Sequence, residues 1–162
     1  MKYNLDEFKA EELRCYTFTL YQLSSIQQGI QAGHAAVELG TQAYASLTLD
    51  GETSKFKLYN EWATEWKTMV LLNGGDSKEL RELMYALTSR DNPYPWSGFY
   101  ESEDSLNGLL TSVAIILPER IFGMASKVRS GEELPYSNPP GMSYSDFELE
   151  LIMMLATRKL AV

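Results

Sequence analysis

Residues 13–21 alternate, with Tyr16, Phe18 and Leu20 on one face and Cys15, Thr17 and Thr19 on the other, the period-2 spacing of a strand. Ser24-Ser25 then supplies an N-cap for a helix from about Ile26 to Ala45. In that helix Ile26, Ile30, Gly33 and Val37 lie one or two turns apart, and this side is expected to face the sheet. After a turn at Asp50-Gly51-Glu52-Thr53, a shorter helix is predicted from Ser54 to about Glu65, with Phe56, Tyr59, Trp62 and Ala63 at helical spacing. The apolar run within Lys67–Leu72 predicts a buried strand, and Asn73-Gly74-Gly75 turns the chain. Asp76 and Glu79 have capping-box spacing for a helix that continues to about Ser89.

Pro93 and Pro95 make Arg90–Pro95 a loop, because each restricts itself and the residue before it. A third strand is expected near Ser97–Glu101, a polar hairpin-like stretch over Ser102–Gly108, and a fourth strand over Leu110–Leu117. Pro118–Arg129 reads as starting with a helical turn, and Ser137-Asn138-Pro139-Pro140-Gly141 as a tether. A last helix begins near Ser143 or Ser145, with Asp146, Glu148 and Glu150 at its start and Arg158-Lys159 at its end, as the helix dipole favours. Its apolar stripe is Phe147, Leu151, Met154 and Leu155. The order β-α-α-β-α-β-β-α predicts an α/β fold, a three-layer α/β/α sandwich with a four-stranded mixed sheet plus the C-terminal helix. The α/β domain spans 1–134, and the tether and amphipathic helix span 135–162. That helix either packs on its own domain or covers a partner subunit, and its stripe is the expected source of added subunit contacts.

Length and composition narrow the picture. At 162 residues, with 44% hydrophobic and 22% charged positions, the chain matches one ordinary globular domain. No apolar run approaches the length of a membrane span, and Met1–Glu7 has no apolar stretch of signal-peptide type, so a cytoplasmic location without membrane contact is expected. The formal charge of −8 makes long nucleic acid a poor default partner. A small anion stays possible through backbone N–H groups at a helix start.

One His and one Cys, on different elements, exclude a His/Cys zinc site, and no metal or cofactor is expected. Gly74-Gly75-Asp76-Ser77-Lys78 reads as a turn plus helix cap, and no Gly-x-Ser-x-Gly elbow occurs. The informative stretch is Ser24–Glu38, where Gln27, Gln31, His34 and Glu38 share one helical stripe. Two readings stay open. The stripe is a solvated face beside small residues, Ala32-Gly33 and Ala35-Ala36, that let the helix approach the sheet; or His34 walls a cleft, with Gln27 and Gln31 bonding a ligand and His34 acting as acid or base.

Residues 20–36, from Leu20 through Gln31-Ala32-Gly33-His34-Ala35-Ala36, resemble the first strand, loop and helix of type 2 peptidyl-tRNA hydrolases, Gln-x-x-His-Ala-Ala being the specific part. Trp62, Thr68–Leu72, Asp76–Ser89, Phe99-Tyr100-Glu101 and Thr111–Leu117 follow in the family's order, so the resemblance covers about residues 13–120. It departs where the family carries a lysine-rich loop before the His helix, for Ser25 and Gln27 stand at the positions of the later lysines. Tyr100-Glu101-Ser102 stands where the family has an Arg-Asp-Ala-Gly-like segment, and Leu106-Asn107 is an echo of its Thr-Gln.

The resemblance implies His34 and Glu101 as catalytic residues and a ligand set of Ser24, Ser25, Gln27, Gln31, His34, Trp96, Tyr100, Asn107 and Thr111, with Tyr100 or Trp96 stacking on a base. Without the lysines, tRNA binding and oxyanion stabilisation both weaken. The expected function is binding or sequestration of a small nucleotide-like ligand with catalysis weak or absent. The alternatives are a divergent peptidyl-tRNA hydrolase acting on tRNA, and an interaction module working through the C-terminal helix. A homodimer or higher homo-oligomer is expected from the family.

Overall fold

A computed structural model describes residues 11–51, 53–134 and 144–158. The predicted tether at Ser137–Gly141, Glu52 of the predicted turn, Ser143 and Lys159 lie outside these residues. The elements are β1 (Leu13–Thr19), α1 (Ser25–Ala45, prolonged by a π-helical turn over Ser46–Asp50) and α2 (Thr53–Glu61, prolonged by a second π turn over Trp62–Trp66). They continue with β2 (Met69–Asn73), α3 (Ser77–Leu87), β3 (Trp96–Tyr100), the single turn α4 (Glu103–Leu106), β4 (Leu110–Pro118), α5 (Glu119–Arg129) and α6 (Asp146–Ala156). The predicted hairpin-like stretch thus contains a helical turn, and the turn predicted after Pro118 is an 11-residue helix.

The sheet has four strands in the order β2-β1-β4-β3. β1 pairs parallel with β2, Phe18 beside Leu72, and antiparallel with β4, Tyr16 beside Ile115. β3 closes one edge antiparallel to β4. Because β1 and β4 are central and covered on both faces, their residues are buried almost throughout, which is why the alternation in β1 does not separate a wet face from a dry one.

One core lies between the sheet and α3, α5 and α6, and includes Tyr16, Phe18, Leu80, Leu83, Ile115 and Leu151. The other lies beneath α1 and the end of α2, and includes Cys15, Ala35, Leu39, Trp62, Ala114 and Ile116. Two helical layers therefore sandwich the sheet. Burial alone pushes the Cys15 thiol up to about 12, so it is a packed thiol in this core.

Three helices begin where the sequence provides reciprocal caps. Ser24 with Gln27 caps α1, Asp76 with Glu79 caps α3, and Ser145 with Glu148 caps α6. The rotation of α1 about its axis is the correction of largest consequence. Its buried residues are Gln28, Gln31, Ala32, Ala35, Leu39 and Ala43, whereas Ile26, Ile30 and Val37, expected to face the sheet, are exposed. Close approach requires small side chains, and on this helix Ala32, Ala35 and Ala43 supply them where the isoleucines do not.

α6 packs on its own domain. Phe147, Leu151 and Leu155 are buried in the same core as α3 and α5, so the stripe expected to add subunit contacts is already covered within the chain. Glu148 stands in the first turn of α6, where the helix dipole favours it, and it is buried. It accepts a short hydrogen bond from the Tyr94 hydroxyl and a 2.8 Å ion pair from Arg120 Nη2, and Arg120 reaches Glu11 at 3.2 Å. At the far end of α6, Arg129 donates to the carbonyls of Ala156 and Leu155, both at 2.9 Å, which satisfies groups the helix leaves open.

Burial by itself pushes the Glu148 carboxyl up, but hydrogen bonds from Tyr94, the Ser145 N–H and Arg120 outweigh it and hold the group below its ordinary value. A depressed carboxyl contributes stability above its unfolded-state pKa, and that contribution is lost as pH falls through the folded one. Glu148→Ala is therefore expected to cost about 1–3 kcal/mol at pH 7, because it leaves Arg120 and the Tyr94 hydroxyl short of a partner. Urea denaturation at pH 7 and in the acid range checks this, and the gap between wild type and variant should narrow as pH falls.

Candidate functional site

The site sits where α1, the end of β3 and the start of β4 meet. Gln31 is its centre. The buried Gln31 side chain accepts from Thr111 Oγ1 at 2.7 Å and donates through Nε2 to Glu101 Oε2 at 2.8 Å, while its backbone carbonyl accepts from Ser112 Oγ at 2.8 Å. One turn on, the Ala35 carbonyl accepts from Ser97 Oγ at 2.7 Å. Helix carbonyls carry a spare lone pair, so two strand hydroxyls bond to α1 without breaking its ladder.

A β-bulge makes this possible. β3 and β4 run in register from Trp96 opposite Ile115 to Phe99 opposite Ser112, then Tyr100 faces Leu110, so Thr111 is the extra residue. Bulging re-aims side chains, and here Thr111 and Ser112 both turn toward α1 although they are neighbours.

Glu101, just past β3, is oriented by three donors: Gln31 Nε2, the Ser102 N–H at 3.2 Å and Ser105 Oγ at 3.3 Å. The Gln31 bond first, then the Ser102 N–H, hold its carboxyl below the ordinary value, with smaller help from Ser105 and from the charge of His34. His34 stands exposed on α1 with its ring against Phe99, centroids 4.6 Å apart and planes tilted by 46°. That contact orients the exposed imidazole against an aromatic ring on the side of the sheet that carries Glu101.

Not every expected residue joins this cluster. His34, Gln31, Glu101 and Thr111 do. Ser24 and Gln27 are spent on each other, Ser24 N–H donating to Gln27 Oε1 at 3.0 Å and Gln27 N–H to Ser24 Oγ at 3.3 Å. Ser25 is exposed in the first turn of α1. Asn107 is the left-handed C-cap of α4 and takes part in none of the hydrogen bonds of the cluster.

Trp96 and Tyr100 lie on the opposite face of the sheet. Trp96 packs against the α3-side core, the Tyr100 hydroxyl approaches Met84 Sδ at 3.4 Å, and a side chain at Gly98 would strike the same sulfur. Both aromatics instead line a cavity of about 250 Å³ along the free edge of β3, with Gln42, Ser46, Lys55 and Met84. Strand parity carried this signal, since side chains two apart share a face, so a cleft holding Glu101 takes Phe99 and excludes Tyr100. Phe99, Ser112 and Ser97 are the residues the sequence reading missed.

No known family model matches the chain, and no curated protein matches it. Among the described residues, no three His, Cys, Asp or Glu side chains come together to hold a metal ion, and no helix is long and apolar enough to cross a membrane.

Gln31→Leu tests the centre of the site. It removes the amide that Thr111 and Glu101 share, and it is expected to destabilise the fold by about 1–3 kcal/mol, because the buried Thr111 hydroxyl keeps only a long 3.5 Å bond to the Phe99 carbonyl. Glu101 should then titrate closer to its ordinary value, which an NMR titration of the side-chain carboxyl reads directly.

Proposed function

We propose that this chain binds a small nucleotide-like ligand against the His34–Phe99 wall, with catalysis weak or absent. The observation that carries the reading is Glu101, a carboxylate aimed by Gln31, Ser102 and Ser105 near an exposed imidazole that packs, tilted, against an aromatic ring. A carboxylate held ionised accepts hydrogen bonds well and takes up a proton poorly, so Glu101 is suited to read an N–H or O–H edge of a ligand. The imidazole adds a second polar contact, and the ring pair offers a surface for a flat base.

The same features argue against efficient hydrolysis. Ester cleavage needs donors for a developing oxyanion, and the positions that resemble the hydrolase family's lysine loop hold Ser25 and Gln27, the latter closed into a helix cap. A divergent peptidyl-tRNA hydrolase is the second reading, favoured by the nearness of His34 to Glu101, whose carboxyl feels its charge.

A thermal-shift panel of mono-, di- and cyclic nucleotides tests the first reading. At a concentration of about 100 Kd a specific ligand stabilises by roughly 2.7 kcal/mol, and His34→Ala and Glu101→Ala should each abolish that gain. A panel without any stabilisation at millimolar ligand removes the binding reading. Cleavage of a blocked aminoacyl-tRNA that disappears in His34→Ala would put the second reading in its place.

A further inference from the structure

We propose that the free edge of β3, apart from the His34–Phe99 wall, is a docking site for an extended peptide of alternating apolar, acidic and apolar residues, which joins the sheet as a further strand. The hydrogen-bond register decides which way the edge residues point. Ile116 N–H donates to the Pro95 carbonyl at 3.0 Å, and the antiparallel register continues with Ser97 opposite Ala114 and Phe99 opposite Ser112. Bonded pairs alternate along such a ladder, so Ser97 and Phe99 bond to β4, while the N–H and carbonyl of Trp96 and Gly98 point away from it. The other side of β4 agrees. Glu119 N–H donates to the Glu12 carbonyl at 2.9 Å, and in that register Val113 and Ile115 bond to β1, which leaves Ser112 and Ala114 for β3. Among the described residues, no hydrogen bond ends on the outward main-chain groups of Trp96 or Gly98.

An open edge of this kind is a template for pairing. This one also has space beside it. The cavity of about 250 Å³ is walled by Gln42, Ser46 and Lys55 from α1 and α2 and by Met84 from α3, so it lies between the two helical layers alongside β3. A strand entering there antiparallel to β3 sets one residue opposite Gly98 and another opposite Trp96. Each of these exchanges two hydrogen bonds with the edge.

Strand parity then assigns the chemistry of the peptide. Residues opposite each other share a face, so the one opposite Gly98 points to the α3 side. Gly98 has no side chain to fill that side, and Met84, Trp96 and Tyr100 surround the space with apolar surface. The residue opposite Trp96 lies on the same face and is apolar too. The residue between them points to the other layer, at Gln42, Ser46 and Lys55. Among the described residues that line the cavity, Lys55 is the only charged one, although the chain holds 22 acidic and 14 basic residues. An ammonium has three donors, so Lys55 can take a carboxylate beside a partner of its own. The middle residue of the peptide is therefore Asp or Glu.

NMR of the isotope-labelled full chain with the peptide Ac-Thr-Val-Glu-Val-Thr-NH2 tests the proposal. At millimolar peptide, the Gly98 and Trp96 amides are expected to shift and to exchange with solvent roughly tenfold more slowly, while the Ser97 and Phe99 amides, already in the ladder, keep their rates. The same peptide with Lys in place of Glu should bind about fivefold more weakly, and so should the wild-type peptide to Lys55→Glu. A peptide N-methylated at both valines should protect neither amide. Gln42→Trp fills the cavity from an exposed position, so it should abolish binding with an unchanged melting temperature. Gly98 and Trp96 amides that exchange at one rate with and without peptide, shifts centred on His34 and Phe99 instead, or equal binding of the Glu and Lys peptides would each overturn the proposal. So would a Gly98 amide already protected without peptide, since the edge would then belong to another part of the chain or to a second copy.

Discussion

The contact on which the rest of this molecule depends is the seating of α1 on the sheet through strand hydroxyls. Ser112 and Ser97 donate to the carbonyls of Gln31 and Ala35, one helical turn apart, and Thr111 donates to the Gln31 side chain. Each such bond contributes only about 0.5–1.5 kcal/mol net, but leaving any one buried and unmade costs more than making it gains. Together they set both the height of the helix above the sheet and its rotation. Small residues on the buried face permit that height, and the bulge at Thr111 delivers two adjacent hydroxyls to the same side.

Rotation of α1 has opposite consequences on its two sides. Inward, it buries Gln28 and Gln31, residues that ordinarily stay wet, and Gln31 then has no choice but to find partners. It finds Thr111 and Glu101, and in doing so positions a carboxylate at the end of the edge strand. Outward, the same rotation exposes Ile26, Ile30 and Val37 to water. A helix that inverts the usual pattern has a site beneath it and an unsatisfied apolar surface above it, and both follow from one set of backbone contacts.

A second polar centre does comparable work for α6. Glu148, Arg120, Tyr94 and Glu11 form a partly buried network that ties the C-terminal helix to the loop before β3 and to the start of α5. Apolar residues of α6 supply the bulk of the burial, while the network selects one rotation of that helix, as buried polar groups do when every member is satisfied. The stripe of Phe147, Leu151 and Leu155 is consequently core.

The sequence by itself determined the four strands, their mixed sheet and the helix caps, because caps, turns and strand periodicity are local physics, but it did not show the turn α4 or the full length of α5, and it pointed to Glu101 only through a family resemblance. It also contained, unread, the parity that puts Phe99 rather than Tyr100 beside Glu101. Only the tertiary structure decided which face of α1 goes inward. On hydrophobicity the isoleucine stripe is the better candidate. That criterion fails here because the strands beneath offer hydroxyls and little room, so a face of glutamine and alanine fits where isoleucine does not. Likewise the shift of Thr111 onto the α1 side is a register event between two strands, and no window along one strand holds that information.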